Sequence, residues 1–376
     1  MTAQSTRTSE PWESLDHAPA PGATLRRVLG MQDMSQRDLA RRTGLTPKHV
    51  NQLLSGTVPL SAEVAERLSL VTGVPALFWN RLEADHRTVQ MRAQRQRDLE
   101  AEHAWVNALP IKELINRGEL PPEPADQSSR ARQLLAYFGV ASPAAWREMW
   151  LRPNAALRQS TAFEANQGAV ATWIRLGENK ARAIPAAPFD TAGLRELIPE
   201  LRAMTRLDPD KALSQAREAL ANVGVAVVIQ REFAGSRLNG ATGWVGPGRP
   251  FILLSGRGKR ADIIFFTLFH EIGHLLRHGR KETFVTDDEP TRKHADPREN
   301  EADDFARTTL LPPPFDDELG SITTAPQVRD LANRAGIAAS IVAGRLCREY
   351  PAAWPYQKAN KLRPSIDIEA LGKAQL

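Results

Sequence analysis

The sequence predicts a mainly α protein with a small β-sheet, an α+β arrangement in which helical segments come first and sheet and helices mix towards the C-terminus. Three observations predict it. Residues 21–80 divide into short amphipathic segments opened by Ser or Thr and closed by Gly. Residues 130–220 read as mostly helical, with Trp146, Trp150 and Trp173 at core-like spacing. Two strand-like runs, residues 223–229 and 250–254, then stand just before a long apolar helix.

The 376 residues allow two or three domains. A formal charge of +5 permits contact with nucleic acid without requiring it. The single cysteine, Cys347, rules out an intramolecular disulfide and fits a reducing, cytoplasmic setting. No basic–apolar–small leader pattern occurs at the N-terminus. The apolar run at residues 263–269 is far shorter than the roughly 20 residues of a membrane span and reads as core, so no membrane partner is expected.

Residues 1–20, rich in Ser, Thr, Pro and Ala, read as a flexible tail. A short helix begins near Ala23. Ser35 caps a helix that stops at Gly44, and Thr46 caps a second one that has Pro47 at its first position and stops at Gly56. Residues 61–71 form a third helix with Val64, Ala65, Leu68 and Val71 inward. Two short helices joined by a Gly-containing turn make a helix-turn-helix, whose second helix enters the major groove. Its early residues here are Lys48, His49, Asn51 and Gln52. Asn and Gln read adenine edges, and Lys reaches guanine or phosphate. Arg37, Arg41 and Arg42 are placed to hold phosphates. Residues 80–109 continue as a charged connector helix, with Arg92, Arg95 and Arg97 on a solvated face. Residues 118–129 are a hinge or loop.

Beyond the helical middle region, residues 240–248 read as turn-rich. A sheet edge beside the following helix would suit an extended peptide, added as a further strand. The helix holds His270-Glu271-Ile272-Gly273-His274 within an apolar run. His270 and His274, at i and i+4, present two imidazoles on one face that can share one Zn²⁺. Mn²⁺ and Fe²⁺ are alternatives for the same donors. Glu271 is placed to act on water rather than on the metal. A buried helix carrying these groups needs something to neutralise them, and a metal would do so. His278, at i+8 from His270, lies about 12 Å along the axis, too far to share the ion, and marks the helix end. His294 is an unassigned loop residue. Downstream, Asp296 caps a helix that opens at Pro297, has Ala302, Phe305, Ala306 and Thr309 inward, and ends at prolines. Glu299 and Glu301 flank that inner face, and either completes a His₂Glu set. Asp303 and Asp304 are candidates to orient a ligand histidine.

These residues carry two resemblances. His270-Glu271-Ile272-Gly273-His274, Glu301-Ala302-Asp303-Asp304-Phe305-Ala306 and Leu310-Leu311-Pro312 resemble the ImmA/IrrE family of metallopeptidases, over about residues 211–346. The resemblance implies a zincin-like fold, a zinc-dependent peptidase, and Glu301 rather than Glu299 as third ligand. Pro21-Gly22, Ser35-Gln36-x-x-Leu39-Ala40, Gly44, residues 51–56 and Ala76-x-Phe78-Trp79 resemble the xenobiotic-response-element class of helix-turn-helix domains, in the form found in HigA-like antitoxins. The expected organisation is a tail (1–20), a helix-turn-helix domain (21–85), a helical middle region (86–210), a zinc metallopeptidase domain (211–320) and a C-terminal helical extension (321–376). The expected function is a DNA-binding regulatory endopeptidase that cleaves a transcriptional repressor in a stress, phage or mobile-element response. The alternative is an antitoxin or repressor, with a toxin partner, whose zinc domain is a sensor or docking platform. A homodimer is expected if the operator is palindromic.

Overall fold

The computed structural model describes residues 18–100, 102–122, 126–150, 166–278, 283–287 and 296–373. His294 lies outside them. The fold class is as expected: helices throughout, with one four-stranded mixed sheet. No described helix is long and apolar enough to cross a membrane. Contacts divide the chain into two units, Met1–His103 and Ala104–Leu376. The division falls beyond residue 85 because one helix runs from Ala76 to Glu100 without a break.

Among the described residues the first unit is a bundle of five helices: α1 (Pro21–Met31), α2 (Gln36–Thr43), α3 (Pro47–Ser55), α4 (Ala62–Thr72) and α5 (Ala76–Glu100). The side chains of Ser35, Thr46 and Ser61 accept from the backbone N–H of Asp38, His49 and Val64, so each helix start has a donor satisfied by its own sequence. Gly44, Gly56 and Gly73 close the same helices with positive φ, which costs a glycine no Cβ clash. Leu25, Leu39, Val50, Leu53, Ala65, Leu68 and Trp79 form the core. Gly22 lets α1 approach the end of α3 closely: a Cβ there would lie 2.3 Å from the carbonyl oxygen of Leu53 and 2.5 Å from that of Leu54.

The second unit is built around β1 (Ala226–Ile229), β2 (Leu238–Val245), β3 (Arg249–Leu254) and β4 (Phe284–Asp287), in the order β1-β3-β2-β4. β1 is parallel to β3, and β2 is antiparallel to both β3 and β4. The turn-rich reading of residues 240–248 is corrected: most of that stretch is β2. Its glycines are there for packing, not for turning. A Cβ on Gly243 would lie 2.7 Å from the Phe251 ring, and one on Gly240 would lie 2.5 Å from a carboxylate oxygen of Glu271. The short edge strand β4 has no counterpart in the sequence reading.

The histidine helix (Ala261–Arg277) is buried along nearly its whole length and packs between the sheet and the acidic helix (Pro297–Leu310). Gly273 brings the two helices together, since a Cβ on it would lie 3.2 Å from Cα of Ala302. Asp296 caps the acidic helix through the N–H of Arg298, as expected. In the helical middle region Trp173 is fully buried and donates to the carbonyl of Gln230 at 2.8 Å, a packing role. The C-terminal helices pack on this core. Val328, Leu331, Val342, Leu346, Trp354 and Ile366 are buried with Phe265, Phe269 and Ile272. Arg363 pairs with Asp262 in the first turn of the histidine helix at 2.8 Å, both buried.

Gly22→Ala drives a methyl group into two backbone carbonyls that cannot rotate away. We expect it to destabilise the first unit by about 1–3 kcal/mol, read as a lowered urea midpoint at unchanged slope.

Candidate metal centre

One turn of the histidine helix separates His270 from His274, and their Nε2 atoms face each other at 3.0 Å. The third group is Glu299. Its Oε2 lies 3.1 Å from Nε2 of His270, and its Oε1 lies 3.4 Å from Nε2 of His274. All three residues are buried, and their ligand atoms lie within 4.8 Å of one another. Donors about 2.0–2.2 Å from a tetrahedral ion stand about 3.4 Å apart. The observed separations and the His₂Glu chemistry therefore fit a divalent cation.

Glu301, the third ligand implied by the sequence resemblance, is corrected. It is more than half exposed and reaches Nε2 of His278 at 3.3 Å instead. The reason is helical phase. The buried stripe of the acidic helix is Glu299, Ala302, Ala306 and Leu310, spaced by three and four residues. Glu301 is two residues from Glu299, about 200° around the helix, and falls off that stripe. The spacing from Glu299 to Ala302 and Ala306 was the available signal, and the Glu-Ala-x-x-Phe-Ala pattern obscured it.

Asp303, one turn beyond Glu299, holds Nδ1 of His270 at 2.8 Å. This is the orienting role considered for it, and it turns Nε2 towards Glu299. Asp304 is an exposed partner of Arg307. The ring of Phe284, on β4, stacks on His274 with centroids 4.0 Å apart and planes 15° apart. Glu271 is fully buried beside His270 and is held by the sheet. Its two carboxylate oxygens accept from the hydroxyls of Thr242 on β2 at 2.5 Å and Thr286 on β4 at 2.8 Å. Neither threonine stood out in the sequence, because each is an ordinary strand residue until the sheet is assembled.

The charges follow from this packing. Burial pushes the Glu271 carboxyl up to about 7, against the lowering influence of His270 and the two threonines. Burial also opposes charge on His270, but its bonds to Asp303 and Glu299 outweigh that and raise it to about 10. His274 is driven down to about 4, by burial first and with the charge on His270 adding to it, although Glu299 opposes. Glu299 stays well below the usual carboxylate range because the two imidazoles beside it outweigh its own burial. One positive charge thus sits among converging donors in the protein interior, a place that a cation can take over.

In the first unit, Arg37, Lys48 and Asn51 are exposed, and His49 and Gln52 are half-buried. Lys48 lies on the face of α3 opposite the buried Val50, Leu53 and Leu54, and Asn51 lies exposed on its flank. Arg41 is ion-paired with Asp38.

Residues 25–79 match the helix-turn-helix family, and residues 224–346 match the peptidase family described as the IrrE N-terminal-like domain. Among solved structures, the chain is similar to an addiction module antidote protein of a HigA family from Coxiella burnetii. The identity is 26%, the match covers 23% of this chain and 95% of that chain, and the TM-score is 0.21. No curated protein matches.

If Glu299 is the third donor, Glu299→Ala should reduce bound Zn²⁺ from about one per chain to almost none after dialysis. Glu301→Ala, loaded in excess Zn²⁺, should keep its stoichiometry. Elemental analysis of the two purified variants checks both.

Proposed function

We propose that this protein is a DNA-binding zinc endopeptidase of regulatory type. One observation carries the hydrolytic part: a buried His₂Glu set lies beside a carboxylate that is held on both oxygens by hydroxyl groups and raised towards neutrality. His270, His274 and Glu299 would hold Zn²⁺, with Mn²⁺ or Fe²⁺ as alternatives for the same donors. The ion, when bound, supplies a Lewis acid that polarises a peptide carbonyl and makes water more acidic.

The chain's own residues do the rest. Glu271 accepts the proton of the attacking water and passes it to the leaving amine, which a group poised near neutrality does well. Thr242 and Thr286 fix the carboxylate so that it swings little between these two steps. Asp303 keeps His270 in one tautomer. The edge strand β4 carries both Thr286 and Phe284, so a peptide added along it runs past the histidine pair. That arrangement favours an extended protein segment as substrate. A transcriptional repressor is the proposed target, cut to release a stress, phage or mobile-element response.

The first unit supplies the address. Its capped helices and the exposed polar face of α3 support major-groove binding. Lys48, His49, Asn51 and Gln52 would read bases, with Arg37 on phosphate, and a palindromic operator would pair two copies. The work of such a chain is done on DNA and on protein in the cytoplasm.

Incubation of the purified protein with repressors encoded near its gene tests the hydrolytic reading. We expect defined cleavage, lowered about 10²–10⁴-fold in Glu271→Gln, which keeps its metal. Equal cleavage by the two proteins would remove Glu271 from its role. Operator binding without any cleavage would make the chain a repressor or toxin-paired antitoxin instead. For the DNA-binding part, Asn51→Ala should reduce discrimination among operator sequences by about 1–3 kcal/mol per site. Arg37→Ala should weaken all sequences alike and lower the salt slope by about one. Fluorescence anisotropy at several salt concentrations separates the two effects.

A further inference from the structure

His278 is the C-cap of the histidine helix, one turn beyond His274. Its Nδ1 lies 3.0 Å from Nδ1 of His274, and its Nε2 lies 3.3 Å from Oε2 of Glu301. These contacts form a chain from Glu301 through His278 to His274, and proton placement gives that chain a direction. If His274 is to offer an unprotonated Nε2 beside Glu299, its proton must sit on Nδ1. Two Nδ1 atoms in contact cannot both donate, so His278 accepts there and carries its own proton on Nε2. That N–H then points at a carboxylate that can only accept. Both contacts are satisfied in one tautomeric arrangement.

We propose that His278 is a positioning residue for His274, with Glu301 as its anchor. The relay fixes which nitrogen of His274 faces the metal and in what plane the ring lies. Phe284 works with it, stacked on His274 at 4.0 Å and 5.3 Å from the His278 ring. The two candidate ligand histidines are thereby supported differently. His270 leans directly on the carboxylate of Asp303, and His274 leans on a carboxylate through an interposed imidazole. Glu301 thus serves the site without contacting the ion. The inference rests on the metal-binding reading above.

The test is Zn²⁺ affinity of the full chain, measured by competition with a chromophoric chelator. His278→Ala should weaken binding about 10–100-fold, and Glu301→Ala less, in the same direction. The double variant should bind no more weakly than His278→Ala alone, because Glu301 acts only through His278. His278→Asn, whose amide oxygen can accept from His274, should recover part of the loss. Its Co²⁺-loaded form should have an absorption spectrum closer to wild type than that of His278→Ala. If His278→Ala does not fold, as judged by circular dichroism, His278→Asn and Glu301→Ala carry the same comparison. Unchanged affinity in these variants, or fully additive losses, overturns the relay. Loss of the metal in Glu301→Ala to the extent seen in Glu299→Ala makes Glu301 a ligand and also overturns it. A wild-type chain that takes up no Zn²⁺ overturns the metal-binding reading itself, and the relay with it.

Discussion

The centre depends on how closely two helices approach each other. Gly273 presents no side chain to the acidic helix, and Ala302 answers with the smallest one available. At that separation Glu299 spans to both Nε2 atoms, and Asp303, one turn further on, reaches Nδ1 of His270. A larger residue at either position would move the carboxylates out of hydrogen-bonding distance while leaving both helices intact. The same close approach brings Glu301 to His278. Every carboxylate–imidazole contact of the centre therefore follows from one small-residue contact.

The sheet sets the electrostatics. β2 and β4 close over the histidine helix and bury Glu271, and each contributes a threonine hydroxyl to it. Gly240 leaves the space that the Glu271 carboxylate fills. A fully buried carboxylate held by two neutral hydroxyl donors keeps a raised proton affinity, because hydroxyl groups replace part of the lost hydration. Glu299 is also buried, yet it goes the other way because two imidazoles flank it. Two glutamates on neighbouring helices thus differ in proton affinity because of their partners, and the proposed division of labour between metal ligand and proton carrier rests on that difference.

The two units have separate cores, and each is specified by its own local sequence. In the first, cap residues and terminal glycines fix helix lengths, which leaves the outer face of α3 free to vary without cost to the core. In the second, the C-terminal helices and Arg363 complete the burial of the histidine helix, so the proposed catalytic part extends well past the residues that carry its motif. For a protein proposed to act on both DNA and protein, such separation allows either surface to change alone.

The sequence by itself determined whatever local chemistry controls. Ser35, Thr46, Ser61 and Asp296 mark helix starts through their own side-chain oxygens, Gly44 and Gly56 mark helix ends, and the four-residue spacing of His270 and His274 places them on one face. It left undecided whatever depends on segments far apart in the chain. Gly240 and Gly243 read as turn residues until Glu271 and Phe251 are seen to fill the space above them. Thr242, Thr286 and strand β4 became recognisable only once the sheet was paired, because strand register is a long-range property. The proposed third donor shows the division most plainly. Both glutamates lay in plain view in one short helix, and the rotation of that helix against its neighbour selected Glu299 and turned Glu301 to His278.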